Sequence, residues 1–141
     1  MRVICFGTFD CLHPGHHNYF KQARMFGEEL IIIVARNENV KRNKGAYPLQ
    51  GEKLRLTTIR RYIKENDYTD KVYLGDKKPG YLAIKRFRPD YICVGYDQQV
   101  DSEKLNSEIK RFRLFCKVKR LRAFHPEQYK SSIIKAKLFK Q

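Results

Sequence analysis

Blocks of apolar and polar residues alternate along the chain, and they predict short strands separated by helices. Apolar runs at residues 2–6, 29–35 and 91–94 predict buried strands, and the second of these contains Leu-Ile-Ile-Ile-Val. Two further strands are predicted at residues 71–74 and 115–121. Strands with helices between them are typical of β-α-β units, which build a mainly parallel sheet with helices on both faces.

Helices are predicted where apolar residues recur at spacings of three and four. They cover residues 16–26, 52–66 and 81–87. A further helix begins at Ser102 as N-cap, and a last one begins at Ser131. Residues 36–50 are polar and basic, and we expect a loop there. The 141 residues fit a single domain that spans residues 1–141.

The carboxyl ends of the predicted strands are where a ligand site is expected. In open parallel sheets, ligands bind in the crevice beyond these ends, so the loops that follow strands carry the chemistry. Three loops meet this condition here, at residues 7–16, 36–44 and 95–98.

Composition narrows the class of protein. No apolar run approaches the ~20 residues of a membrane span, and the N-terminus does not resemble a signal peptide, so we expect a cytoplasmic protein without a membrane partner. The four cysteines form no C-x-x-C pair, so we expect no metal site. The net charge of +15 indicates an anionic partner, which could be nucleic acid, an acidic membrane or a nucleoside triphosphate.

The loop after the first strand carries the most specific pattern, Gly7-Thr8-Phe9-Asp10-Cys11-Leu12-His13-Pro14-Gly15-His16. Two histidines flank a Pro-Gly pair where a strand turns into a helix. A helix N-terminus offers free backbone N–H groups to phosphate, and imidazoles there can donate hydrogen bonds to charge that develops during transfer. Gly15 lets a nucleotide approach the backbone closely. The alternative interpretation is that a histidine at a helix start is only a capping or surface residue, and we expect that role for His17.

This motif resembles the signature of the cytidylyltransferase-like nucleotidyltransferases, the H-x-G-H superfamily with a Rossmann-like three-layer fold. The resemblance implies direct attack of a substrate phosphate on the α-phosphate of a nucleoside triphosphate, with release of pyrophosphate. It implies that His13 and His16 are catalytic, that Asp10 binds substrate, and that the nucleotide contacts Gly7, Thr8, Phe9, His13, Gly15 and His16.

The other two loops and the C-terminal segment supply further candidates by the same resemblance. Lys41 and Lys44 lie in the loop where related enzymes carry lysines, and both are expected to bind substrate, although most charge runs are simply solvated. We favour Lys44 of the two and expect it to be catalytic as well. Gly95 and Asp97 follow the fourth strand and are expected near the nucleoside. Ser131 and Ser132 resemble the helix start that binds the triphosphate, although plain N-capping is compatible with them.

Two departures from the glycerol-3-phosphate type of cytidylyltransferase stand out. That type has an Arg-Thr-x-Gly-Ile stretch before the serines, and this chain has residues 125–130 there without an arginine. Arg55 matches only approximately an arginine that relatives carry at the start of the helix predicted at 52–66.

Several stretches are similar to the archaeal-type FAD synthases, notably the Val-Ala-Arg-Asn-Glu loop and Gly-Tyr-Asp-Gln. This similarity implies an FMN adenylyltransferase that uses ATP with Mg²⁺ and that could form a homodimer. The alternatives are a CTP-dependent enzyme acting on a phosphorylated alcohol such as glycerol 3-phosphate, and, less favoured, a nucleic-acid-binding protein on a degenerate enzyme fold.

Overall fold

The structure is a computed structural model that describes residues 1–66, 71–78, 80–96, 98 and 100–122. It contains the strands β1 Arg2–Gly7, β2 Glu29–Val34, β3 Lys71–Leu74, β4 Tyr91–Val94 and β5 Lys117–Arg120. These form one sheet in the order β3-β2-β1-β4-β5, and each neighbouring pair is parallel. The predicted parallel sheet is therefore confirmed.

Helices cover both faces of this sheet, as predicted. They are α1 Pro14–Arg24, α2 Asn37–Lys44, α3 Glu52–Glu65, α4 Leu82–Phe87 and α5 Ser102–Arg111. Because side chains alternate between the faces of a strand, Val3 and Cys5 pack on one face and Ile4 packs on the other. The first face is covered by apolar residues of α1 and α3, and the second by apolar residues of α4 and α5. The fold is the expected Rossmann-like three-layer arrangement.

The expectation of a loop at residues 36–50 was wrong, because α2 lies inside that segment. Val40 is the buried residue of α2, so the helix has no apolar stripe that a periodicity could show. It is held from outside instead: a Glu52 side-chain oxygen accepts from the backbone N–H of Asn37 at 3.1 Å. Gly45 ends the helix with a left-handed φ of 83°, which glycine adopts without strain.

Helix boundaries also differ from the expectation by up to two residues, and two of the differences concern N-caps. The first helix begins at Pro14 rather than at residue 16, with His13 as its N-cap. The N-cap of α5 is Asp101, whose carboxylate accepts from the N–H of Lys104 at 3.1 Å, rather than Ser102. In the part of the chain that the structure describes, no helix has the length and apolar character needed to span a bilayer.

Three candidate site residues lie outside the described residues: Asp97, Ser131 and Ser132. The helix expected from residue 131 lies outside them as well.

Candidate active site

The first loop leaves the centre of the sheet in a constrained backbone path. Phe9 and Cys11 both take left-handed conformations, with φ of 55° and 53°, which residues with a side chain rarely adopt. The Phe9 ring is 5% exposed and lies against Gly7, where an added Cβ would be 2.6 Å from the Phe9 Cζ. Gly7 is therefore required for Phe9 to pack over the end of β1.

The two histidines of the motif cap α1 together. The backbone N–H of Gly15 donates to His13 Nδ1 at 3.0 Å, and the backbone N–H of His13 donates to His16 Nδ1 at 3.2 Å. This is a reciprocal capping box, with histidines in place of the usual Ser and Glu. The two rings stack with centroids 3.8 Å apart, and the Phe9 ring makes a T-shaped contact with His16 at a centroid distance of 5.7 Å.

This capping fixes the chemical state of both rings. Each Nδ1 accepts a backbone N–H, so in the neutral imidazole the proton lies on Nε2. Burial, together with the neighbouring histidines, lowers the pKa of His16 to about 3 and that of His13 to about 4. Both rings are therefore neutral at pH 7, and each carries an Nε2–H donor suited to a phosphate oxygen.

Two aromatic residues of α1 anchor this helix to the rest of the fold. The Tyr19 hydroxyl donates to the Cys93 carbonyl of β4 at 2.9 Å. The His17 ring stacks on Tyr62 of α3 with centroids 4.2 Å apart. His17 thus packs against a neighbouring helix, whereas His13 and His16 face each other at the loop.

Lys44 reaches the first loop from the end of α2. Its Nζ donates to the hydroxyl of Thr8 at 3.1 Å, across 36 residues of sequence. Lys41 lies about one turn earlier in α2 and packs elsewhere, with its Nζ 4.6 Å from the ring centroid of Tyr47. Of the two candidate lysines, the favoured one, Lys44, therefore contacts the first loop. Lys41 packs against the ring of Tyr47 instead.

Asp10 is buried and accepts hydrogen bonds within the protein, a structural role that the sequence did not indicate. Its side chain is 2% exposed, and its two oxygens accept from the backbone N–H groups of Leu49 and Gln50 at 2.7 and 2.9 Å. The side chain of Gln50 in turn accepts from the N–H of Cys11 at 3.2 Å. Asp10 thereby ties the first loop to the segment that leads into α3.

Arg55 is the residue whose importance sequence reasoning missed. It has no exposed surface, and its guanidinium donates to the Gln50 carbonyl at 2.9 Å, the Thr8 carbonyl at 2.7 Å and the Asn37 side-chain oxygen at 2.8 Å. Burial lowers its pKa, while Asp10 and Glu52 oppose that change. One signal could have found it: Arg55 stands four residues before Ile59, on the buried face of α3.

Gly95 lies at the same edge of the sheet, directly after β4. Its N–H donates to the side-chain oxygen of Gln98 at 3.1 Å, so the loop after β4 folds back on itself. Gly95 and the first loop flank the junction between β1 and β4, where strand order reverses and an α/β sheet places its ligands.

A separate groove of about 370 Å³ lies between α2 and the loop after β3. Its lining has charges of both signs and includes neither motif histidine nor Lys44; the residues are Arg36, Glu38, Arg42, Glu52 and Lys77. Within the described ranges, no three His, Cys, Asp or Glu side chains come together as a metal-ligand set.

The sequence matches the family described as Cytidylyltransferase-like over residues 4–137. The chain belongs to the cytidylyltransferase-like family. The strand order, the paired histidines and Lys44 therefore belong to a nucleotidyltransferase fold, and the resemblance first suggested by the loop motif is confirmed.

Relatives within the cytidylyltransferase-like family include archaeal FAD synthases. The chain is 35% identical over 132 residues to the FAD synthase of Archaeoglobus profundus, covering 94% of this chain and 81% of that protein. It is 39% identical over 116 residues to the FAD synthase of Archaeoglobus fulgidus, covering 82% and 80%. A solved structure, the lipopolysaccharide core biosynthesis protein from Thermoplasma volcanium GSS1, has a TM-score of 0.77 at 34% identity and covers 88% of this chain and 98% of that chain.

The buried guanidinium predicts a large loss of stability in Arg55→Met. The substitution replaces the aliphatic part of the arginine side chain with an apolar one but removes the guanidinium. The oxygens of Thr8, Gln50 and Asn37 then lack their donor. We expect the free energy of unfolding in urea to fall by about 3–5 kcal/mol. Arg61→Met, on an exposed residue of the same helix, should change it by no more than about 0.5 kcal/mol. Equal stability of the two variants would contradict the role of Arg55.

The capping geometry predicts the protonation of both histidines. In ¹⁵N-edited NMR spectra of the ligand-free protein, we expect the rings of His13 and His16 to be Nε2–H tautomers that stay neutral through the ordinary pKa of 6.5. The unfolded chain takes up protons near pH 6.5 and the folded chain does not, so the free energy of unfolding should fall as pH drops from about 6.5 toward 4. Ring titration near pH 6.5, or an Nδ1–H tautomer, would disprove the assignment.

Proposed function

We propose that this chain is an FMN adenylyltransferase, an FAD synthase that joins FMN to the adenylyl group of ATP. The single observation that carries the proposal is the identity of 35–39% to archaeal FAD synthases over most of the chain. The site supports it, because the paired histidines and Lys44 lie together at the carboxyl edge of the sheet. This position suits two phosphate-bearing substrates that must meet.

The reaction needs no covalent intermediate on the protein. An oxygen of the FMN phosphate forms a bond to the α-phosphorus of ATP, and the bond from that phosphorus to the α–β bridging oxygen breaks. The bridging oxygen keeps the electron pair and leaves as part of pyrophosphate. Catalysis of such an in-line displacement consists mainly of positioning and charge stabilisation.

His13 and His16 stabilise the phosphate oxygens of ATP where negative charge develops. Their Nε2–H groups donate from the N-terminus of α1, whose backbone N–H groups add a favourable dipole. Because each ring is already held through Nδ1, no reorganisation is required at the moment of transfer. Gly7, Thr8, Phe9 and Gly15 complete the nucleotide side of the loop.

Lys44 lies on the acceptor side of the site. Its ammonium group is held at Thr8 and reduces the repulsion between the FMN phosphate and the triphosphate. Lys41 adds positive charge from the same helix, and Asp10 serves substrate binding by holding the first loop in shape. Gly95 borders the nucleoside, and we include Asp97, Ser131 and Ser132 in the nucleotide site because their sequence motifs resemble the nucleotide-binding segments of the family.

We propose Mg²⁺ as the divalent cation that accompanies ATP. Magnesium commonly takes most of its ligands from phosphate oxygens and water and needs only one or two protein carboxylates. A chain whose described residues hold no cluster of three metal-binding side chains fits that mode. When bound, the cation would supply positive charge to the triphosphate oxygens.

The substrate assignment is tested by pyrophosphate release from purified protein with Mg²⁺, offering ATP or CTP with FMN or glycerol 3-phosphate. We expect release only with ATP and FMN. In His16→Ala, turnover should fall about 10²–10³-fold, since a preorganised donor to the developing charge is lost. His17→Phe, which keeps the ring stack on Tyr62, should retain turnover. Release with CTP and glycerol 3-phosphate would favour the cytidylyltransferase alternative, and normal turnover of His16→Ala would remove His16 from the mechanism.

Lys44→Ala tests the acceptor side of the site separately. We expect it to raise the KM for FMN or to lower kcat by at least about tenfold, because two anions must then approach without the ammonium group. The exposed position should leave the free energy of unfolding within about 0.5 kcal/mol of the wild type. Lys41→Ala removes the same charge from the same helix and should have a smaller kinetic effect. An equal or larger effect of Lys41→Ala would reverse the ranking of the two lysines.

A further inference from the structure

Arg120, the last residue of β5, reaches over the loop that follows β4. Its Nη1 donates to the carbonyl oxygens of Gly95 at 2.7 Å and Gln98 at 2.9 Å, and lies 3.4 Å from that of Tyr96. In the sheet, Arg120 is in register with Val94, so its backbone is fixed beside the start of the loop. The guanidinium of Arg120 therefore connects the end of β5 to the loop that follows β4, at the carboxyl end of both strands.

Arg120 places a cation where backbone carbonyl groups of this loop converge. The carbonyl oxygens of Gly95, Tyr96 and Gln98 all lie near the same guanidinium nitrogen, and without that cation their partial negative charges would repel one another. A guanidinium offers several donors and a full charge, and hydrogen bonds to a charged group are about twice as strong as neutral ones. Gly95 and Gln98 also bond each other, through Gln98 N–H to the Gly95 carbonyl at 3.2 Å. Arg120 adds hydrogen bonds to the same two residues from β5.

The loop starts at the carboxyl end of β4, beside the point where the strand order reverses between β1 and β4 and where parallel sheets place their ligands. The Tyr19 hydroxyl donates to the Cys93 carbonyl and so links β4 to α1, which contains His16 and is capped by His13. The loop and the two motif histidines therefore lie at the same edge of the sheet.

We propose that Arg120 is a positioning residue for nucleoside binding, which holds the loop after β4 in the shape that receives the nucleoside of ATP. This inference rests on the proposed function, in which Gly95 and Asp97 belong to the nucleotide site. Arg120 acts through the loop, because the hydrogen bonds of its Nη1 go to backbone carbonyl groups of that loop.

A comparison of ligands with and without phosphate separates this role from direct phosphate contact. Adenosine, AMP and ATP are titrated without FMN into wild type, Arg120→Ala, Arg120→Lys and Lys117→Ala, with adenosine followed by NMR at millimolar concentration. Lys117 is the matched control, since it is an exposed cation at the other end of β5. We expect Arg120→Ala to weaken all three ligands by the same factor, about tenfold. Arg120→Lys should recover part of this loss, because an ammonium group also donates to several carbonyls.

In steady-state kinetics, the substitution should affect the KM values of the two substrates differently. Arg120→Ala should raise the KM for ATP and leave the KM for FMN unchanged, a pattern that general destabilisation would not produce. Melting temperatures are recorded for each variant, and if Arg120→Ala does not fold, Arg120→Lys is compared with wild type in its place.

Four results would overturn the proposal, and three of them concern the variants. A loss that grows from adenosine to ATP would assign Arg120 to the phosphates, an equal loss in Lys117→Ala would reduce its role to net charge, and unchanged adenosine binding would remove it from the nucleoside site. The proposed function fails separately: wild type that binds ATP but releases no pyrophosphate with FMN disproves the acceptor and still permits the binding comparison. Wild type that binds no adenosine would overturn the Arg120 proposal as well.

Discussion

A guanidinium group with no exposed surface lies beneath the candidate site and holds three separate segments together. Arg55 donates to Thr8 of the first loop, to Asn37 at the start of α2 and to Gln50 before α3. Removing a full charge from water is costly, so this arrangement is stable only while every donor has its acceptor and the Asp10 carboxylate stays near. The segments cannot shift independently, and Lys44 is therefore carried by a helix whose first residue is fixed to the same group.

The first loop uses two imidazole rings as helix caps through one nitrogen and leaves the proton on the other. His13 and His16 cap α1 through Nδ1, and this capping determines that Nε2 carries the proton. Burial keeps both rings neutral, so they can donate to phosphate without first losing a counterion. A histidine at a helix start is often only a cap. Here the capping hydrogen bonds to Nδ1 also determine that Nε2–H is the available donor form. The structural and the functional interpretation of these residues are thus compatible.

Local patterns predicted the sheet and most helices, because their signals lie within a few residues of sequence. The run from Leu30 to Val34 is buried on both faces, and its continuous apolar pattern predicts an interior strand directly. The helix α2 could not be predicted this way, since its stability comes from Glu52 and from Gly45 rather than from an apolar face. Arg55 was placed only approximately, because its partners lie up to 47 residues away and depend on side-chain packing. Motifs located the histidines, whereas contacts across the fold located the group that supports them.

The central place of β1 has a consequence for how the chain folds during its synthesis. Its residues leave the ribosome before those of β2 and β4, and β2 can pair with one edge of β1 as soon as Val34 has emerged. The other edge waits for β4, which is completed only at Val94, about 60 residues later. At roughly 5–20 residues per second this interval lasts about 3–12 s. Throughout that time the nascent chain presents the open edge of an apolar strand, the kind of surface on which molecular chaperones act.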